Sequence, residues 1–211
     1  MRCFGLTPDQ VLLREPAPAA GRFPSLSFSI FYGAIGFGGV SVLAYSIWAF
    51  RLIRGAAGLY SSIAVVYIVL TGLVLSHLVL GAGAAKRFAL LFAAAFFAYA
   101  VAWCAFWFGL RGKYLADFWG SVVGLAAVTF LICRAFKKRD GFLFLFLGLL
   151  AFHSAGYYLG GYLYSAVRGS IGRLLYGAAH GIGFGAGLGF VLFHAQSALK
   201  MRLRPADRST R

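Results

Sequence analysis

The chain has 211 residues, 61% of them apolar and 12% charged, which gives it more hydrocarbon-compatible surface than one soluble domain of this length buries in a core. Lysine and arginine outnumber aspartate and glutamate 20 to 5, but the basic residues sit in short gaps between apolar stretches, a distribution suited to lipid headgroups rather than nucleic acid. An ordinary soluble globular domain is excluded, and no nucleic-acid partner is expected.

In chain order, residues 1–27 come first. They hold Asp9, Glu15 and four prolines, without the basic start and adjoining apolar stretch of a cleavable signal peptide, and read as a flexible cytoplasmic tail or a segment lying on the surface. Six apolar runs follow, approximately Phe28 to Phe50, Leu59 to Gly81, Phe88 to Leu110, Tyr114 to Cys133, Phe142 to Tyr164 and Leu174 to Gln196. Each is near the ~20 residues needed to cross about 30 Å of hydrocarbon as a helix. The runs are continuously apolar, whereas a membrane barrel would show shorter alternating segments. Residues 28–197 are thus predicted to form an all-α, six-helix transmembrane domain, and residues 198–211 a basic cytoplasmic tail. No internal repeat is evident. Cys3, Cys104 and Cys133 offer neither a paired framework nor a CxxC metal knuckle.

Orientation follows from the basic residues of the short connections, which stay on the cytoplasmic side during insertion. Arg2, Arg14, Arg22, Lys86, Arg87, Arg134, Lys137, Lys138, Arg139, Lys200, Arg202, Arg204, Arg208 and Arg211 fall on one side, 14 in all. Arg51, Arg54, Arg111, Lys113, Arg168 and Arg173 make six on the other. Both ends lie on the charge-rich side, which requires an even number of spans and places both termini in the cytoplasm. Trp48, Tyr60, Trp103, Trp107, Tyr114, Trp119, Tyr162, Tyr164 and Tyr176 then map near the outer boundary, where amphipathic rings are favoured. The expected setting is a bacterial inner membrane, with anionic headgroups against the basic loops and other membrane subunits as partners.

The last run concentrates glycine. Gly177, Gly181, Gly185 and Gly189 recur every fourth residue, with Gly183 and Gly187 between them. In lipid such a stripe lets helix backbones approach and gain dispersion contacts, so the last helix is expected to be central. The first and fifth runs, with Gly33, Gly36, Gly39 and Gly156, Gly160, Gly161, are its expected neighbours.

No acidic residue lies deep in any run, which weighs against a carboxylate-driven transporter. All four histidines do fall inside runs: His77, His153, His180 and His194. Counting from the run ends places His77 and His194 near the cytoplasmic boundary, His180 roughly 9 Å below the outer one and His153 near the midplane. His180 and His194, roughly 21 Å apart on one helix, resemble the two-haem helices of membrane b-type cytochromes. That resemblance implies haem b held by His77 with His194 and by His153 with His180, although only one helix carries the double histidine. The bland alternative is that each imidazole is hydrogen-bonded within the bundle, with no cofactor and no metal.

Ala179, His180, Gly183 and Gly187 spell AHxxGxxxG, which resembles the last core helix of the rhomboid intramembrane proteases, as do six spans with cytoplasmic ends. The resemblance implies His180 as general base for a serine at the outer start of the fourth span, where Ser121 stands. Ser121 lacks the family's GxSG context, and no HxxxN occurs in the second run. Three readings stand after the sequence: a non-enzymatic membrane subunit, scaffold or small permeation unit, which leads; a haem-bearing electron carrier; and a serine protease using Ser121 and His180.

Overall fold

The computed structural model describes residues 4–14 and 23–203. Among them are eight helices and no strand: α1 (Pro8–Arg14), α2 (Leu26–Ala49), α3 (Ala56–Leu78), α4 (Ala84–Gly109), α5 (Ala116–Ala135), α6 (Phe142–Val167), α7 (Gly169–Ala195) and α8 (Ser197–Leu203). α2 to α7 are the six long apolar runs, each long and apolar enough to cross a membrane. Continuous apolar sequence leaves the backbone only its own polar groups to bond, and a helix satisfies them within the segment.

The breaks between helices have local causes. α2 starts after Pro24, and the Ser25 hydroxyl accepts from the Phe28 amide at 3.1 Å, satisfying one of the unpaired first-turn donors. α4 and α6 begin after Gly83 and Gly141, both at positive φ, where glycine costs nothing sterically. α6 and α7 are separated by Arg168 alone, at φ 56°. α3 is not uniform: it widens into a π-helical turn at Tyr67–Thr71 and tightens to 3₁₀ at Ser76–Leu78.

α7 is the most buried of the long helices, and glycine explains how. A methyl group added at Gly185 or Gly189 would run into the backbone of α2 at Gly33 and Ser29, and one at Gly177 or Gly181 into Tyr45 and Ser41. On the opposite side, Gly183 meets Gly156 and Phe152 of α6, and Gly187 meets Leu149. The i, i+4 set therefore faces α2 while the interleaved pair faces α6. α4 and α5 form a second tight pair, Gly120 and Gly124 lying against Trp103 and Tyr99. α3 has little buried surface. Each long helix also turns large apolar side chains outward, among them Phe31, Val69, Phe97, Phe130, Leu147 and Ile182.

One end of the bundle gathers basic groups. The Asp9 carboxylate on α1 accepts from Lys137 Nζ at 2.9 Å, in the α5–α6 connection, and from Arg202 Nη1 at 2.6 Å on α8. Hydrogen bonds from Lys137 and then Arg202 hold its pKa at about 2, below the ordinary 3.8. The Arg14 guanidinium donates to the Gly5 carbonyl, and burial followed by repulsion from Arg87 pulls its pKa down.

Part of the segment expected to be a flexible tail is packed. Leu6 and Val11 are buried, and Val11 sits where a side chain on Gly81 would be. Three apolar residues, Phe4, Leu6 and Val11, gain by covering the basic end of the core. The C-terminal segment likewise continues as α8 rather than as a tail from residue 198. Arg2, Cys3, Glu15 and Arg22 of the N-terminal segment, and residues 204–211 with Arg204, Arg208 and Arg211, lie outside the described residues.

Candidate functional site

Between α2, α4, α6 and α7, on the side of the bundle away from the basic end, an apolar interior gives way to polar side chains. The close approach of Gly156 to Gly183 brings α6 against α7, and it sets His153 beside His180. Their Nε2 atoms are 3.2 Å apart with the rings at 88°. Tyr99 of α4 places its hydroxyl 2.9 Å from His153 Nε2. Tyr45 of α2 lies 3.5 Å from His180 Nδ1. Phe184, Tyr157 and Tyr176 wall the pair: Phe184 is 4.9 Å from the His153 ring, and Tyr157 stacks on it at 13°.

The hydrogens must be placed to suit this geometry. His153 Nε2 faces two partners, and a neutral imidazole nitrogen offers either one hydrogen or one lone pair. If that nitrogen carries the hydrogen, it donates to His180 Nε2, and His180 Nδ1–H points to the Tyr45 oxygen. His153 Nδ1, which is buried with no partner, is then a bare lone pair. In the reverse assignment the Nε2 lone pair accepts from the Tyr99 hydroxyl, and the Nδ1 hydrogen is the buried group without a partner.

A second link lies alongside. Tyr67, on the π-helical turn of α3, donates to Ser41 Oγ at 2.6 Å, and Ser41 donates to the Gly177 carbonyl at 2.6 Å. Gly177 must be small for another reason too, since Tyr45 covers its Cα. One α2 face thus supplies both Ser41 and Tyr45. Toward the basic end the core closes over with Leu91, Leu125, Leu149, Leu188 and Leu192, all essentially inaccessible. There the polar work passes to Gln196, whose Nε2 donates to the Leu78 and Leu192 carbonyls and whose Oε1 accepts from the Leu80 amide.

The residues singled out from the sequence separate into those brought together and those kept apart. His153 and His180 meet, despite the different depths that counting along the runs gave them. His77 is exposed at the end of α3, edge-on to Tyr32 at 6.4 Å, while His194 is surrounded by Phe144, Phe190 and Phe193. Iron held between two imidazoles keeps their nitrogens about 4 Å apart with a macrocycle around it. His153 and His180 are in direct contact across helices held by glycine, so the rings as placed do not fit a haem. Among the described residues no three of His, Cys, Asp and Glu gather as metal ligands.

Ser121 is buried on α5, and its hydroxyl donates to the Asp117 carbonyl one turn back at 2.7 Å. It lies next to Tyr99, and among the described residues no hydrogen bond joins it to His180. The sequence reading did not single out Tyr99, Tyr45, Tyr67, Ser41 or Gln196. A usable signal existed for Tyr45, Tyr67 and Tyr99: each stands inside an apolar run rather than in a gap.

Fold and site together define a class, an all-helical bundle of six long apolar helices around a buried tyrosine–histidine network. Comparison with protein-family models, with curated proteins and with solved structures gave no match. The likeness to rhomboid proteases therefore rests on the α7 motif and the number of helices.

Proposed function

We propose that the chain is a polytopic integral protein of a bacterial inner membrane, with both termini in the cytoplasm, that works as a membrane subunit or scaffold rather than as an enzyme. The outward apolar side chains of all six long helices support insertion in lipid, where a surface of that kind is stable. The cations of α1, α8 and the α5–α6 connection collect at one end, as the retention of positive charge on the cytoplasmic side requires.

The observation that carries the non-enzymatic reading is where the buried polar hydrogens go. The Ser121 hydroxyl is spent on the Asp117 carbonyl, and the His180 ring on His153 and Tyr45. A nucleophile and its base would share a hydrogen bond with each other. A small permeation unit is less favoured, because the leucine layer below the histidines closes the core. Reporter fusions test the proposal. A cytoplasm-active reporter should work at the C-terminus and in the connection at Lys138, and an export-active reporter at Gly112 and Arg168. Termini in different compartments would overturn it.

A further inference from the structure

At the basic end, α1 and the α5–α6 connection border an open cavity of about 620 Å³. Thr7, Asp9 and Leu13 line one wall, and Arg134, Lys137, Lys138 and Arg139 the other. Four cations face one carboxylate, a net of three positive charges among the described lining residues. That carboxylate, Asp9, bridges Lys137 and Arg202 with one oxygen to each, which is how an oxygen-rich anion would engage two cations.

The cavity is also partly apolar. Leu13 on its rim is 82% exposed, and a few residues beyond Arg139 the start of α6 turns Leu143 and Phe144 outward. An anion site for a small soluble ion has no use for an exposed leucine at its mouth. A phospholipid would use both surfaces, its phosphate among the cations and its acyl chains along Leu13 and the outer face of α6.

We propose that this cavity binds the phosphate headgroup of an anionic phospholipid, with Asp9 as an internal carboxylate that occupies part of the site when the lipid is absent. The proposal rests on the cytoplasmic placement of this end. Binding in detergent solution does not depend on orientation, however, so the two can fail separately.

Native mass spectrometry of the full chain in detergent, titrated with phosphatidylglycerol and with phosphatidylcholine, tests it. The double substitution Arg134→Gln with Lys138→Gln leaves the Asp9 bridge intact and should weaken phosphatidylglycerol binding roughly 25-fold, at about fivefold per charge near an anionic headgroup. Arg51→Gln with Arg54→Gln, at the opposite end, should leave it unchanged. Asp9→Asn should strengthen it, a gain that a folding defect cannot produce. Equal loss in both double variants, no loss in the first, or weaker binding in Asp9→Asn would each overturn the proposal. Inorganic phosphate competing at concentrations comparable with the lipid would replace the lipid by a soluble anion and overturn it as well.

Discussion

Replacing Gly185 by alanine separates helix packing from helix propensity. By propensity alone, alanine in a helix interior stabilises by about 0.5–1 kcal/mol over glycine. At Gly185 the new methyl would strike the Gly33 carbonyl and the Phe37 side chain of α2, and the first of these is backbone that cannot swing aside. Overpacking of this kind costs about 1–3 kcal/mol, and pushing α2 away also sacrifices the neighbouring contacts at Gly181 and Gly189. The net expectation is a loss of roughly 1–2 kcal/mol. Gly39 is the control: it lies on the same α2 with nothing within 4 Å of an added Cβ, so Gly39→Ala should be neutral or stabilising. Unfolding in mixed detergent, followed by tryptophan fluorescence, measures both. Gly185→Ala at least as stable as Gly39→Ala would refute the reasoning that the glycines are there for backbone contact.

The histidine network gives a second expectation. His153→Ala removes the partner of both Tyr99 and His180 and leaves a hole, so it should destabilise far more than Tyr99→Phe; a double-mutant cycle between the two should give a coupling of about 0.6–1.7 kcal/mol, and a coupling of zero would mean the 2.9 Å contact contributes nothing. The Asp9 bridge should respond to acid. Its folded pKa of about 2 lies below the ordinary 3.8, so the stabilisation is fully present above about pH 4 and is lost as pH falls toward 2. Spin labels at Gln10 and Ala198 should separate over that window in the native sequence, and in Asp9→Asn their distance should not change with pH over it.

The six long helices were legible because continuous apolar sequence in lipid has one backbone solution. The fifth run was expected from Phe142 and begins there, and the others start and stop within a few residues of α2 to α5 and α7. The neighbours of α7 could be read as well, since small residues are what close approach in lipid requires. Four things were not read. The depth of His153 against His180 depends on how α6 and α7 slide and tilt at Gly156 and Gly183, which counting residues from each end ignores.

The π-helical turn in α3 leaves no mark in a pattern of uniform hydrophobicity. It matters, because eight residues of plain α-helix would put Leu75 about 80° around from Tyr67, and both are buried. The N-terminal segment was too short and too broken by proline to suggest packing. Its Leu6 and Val11 are held by a tertiary surface that exists only once the bundle has formed. The inward tyrosines failed to stand out for a different reason: tyrosine is common at membrane boundaries, and composition does not tell a ring that anchors from one that donates inside.

The most extensive contact in the bundle joins α2 to α7, the first long helix made to the last. Ser170 and Arg173, at the start of α7, also bond the Ala49 carbonyl at the end of α2, and the Arg173 guanidinium stacks over Trp48. During synthesis, α2 therefore waits through more than a hundred residues with its glycine groove unfilled and its final carbonyls open. A ribosome that stops short of α7 releases a chain whose first helix has lost its principal partner.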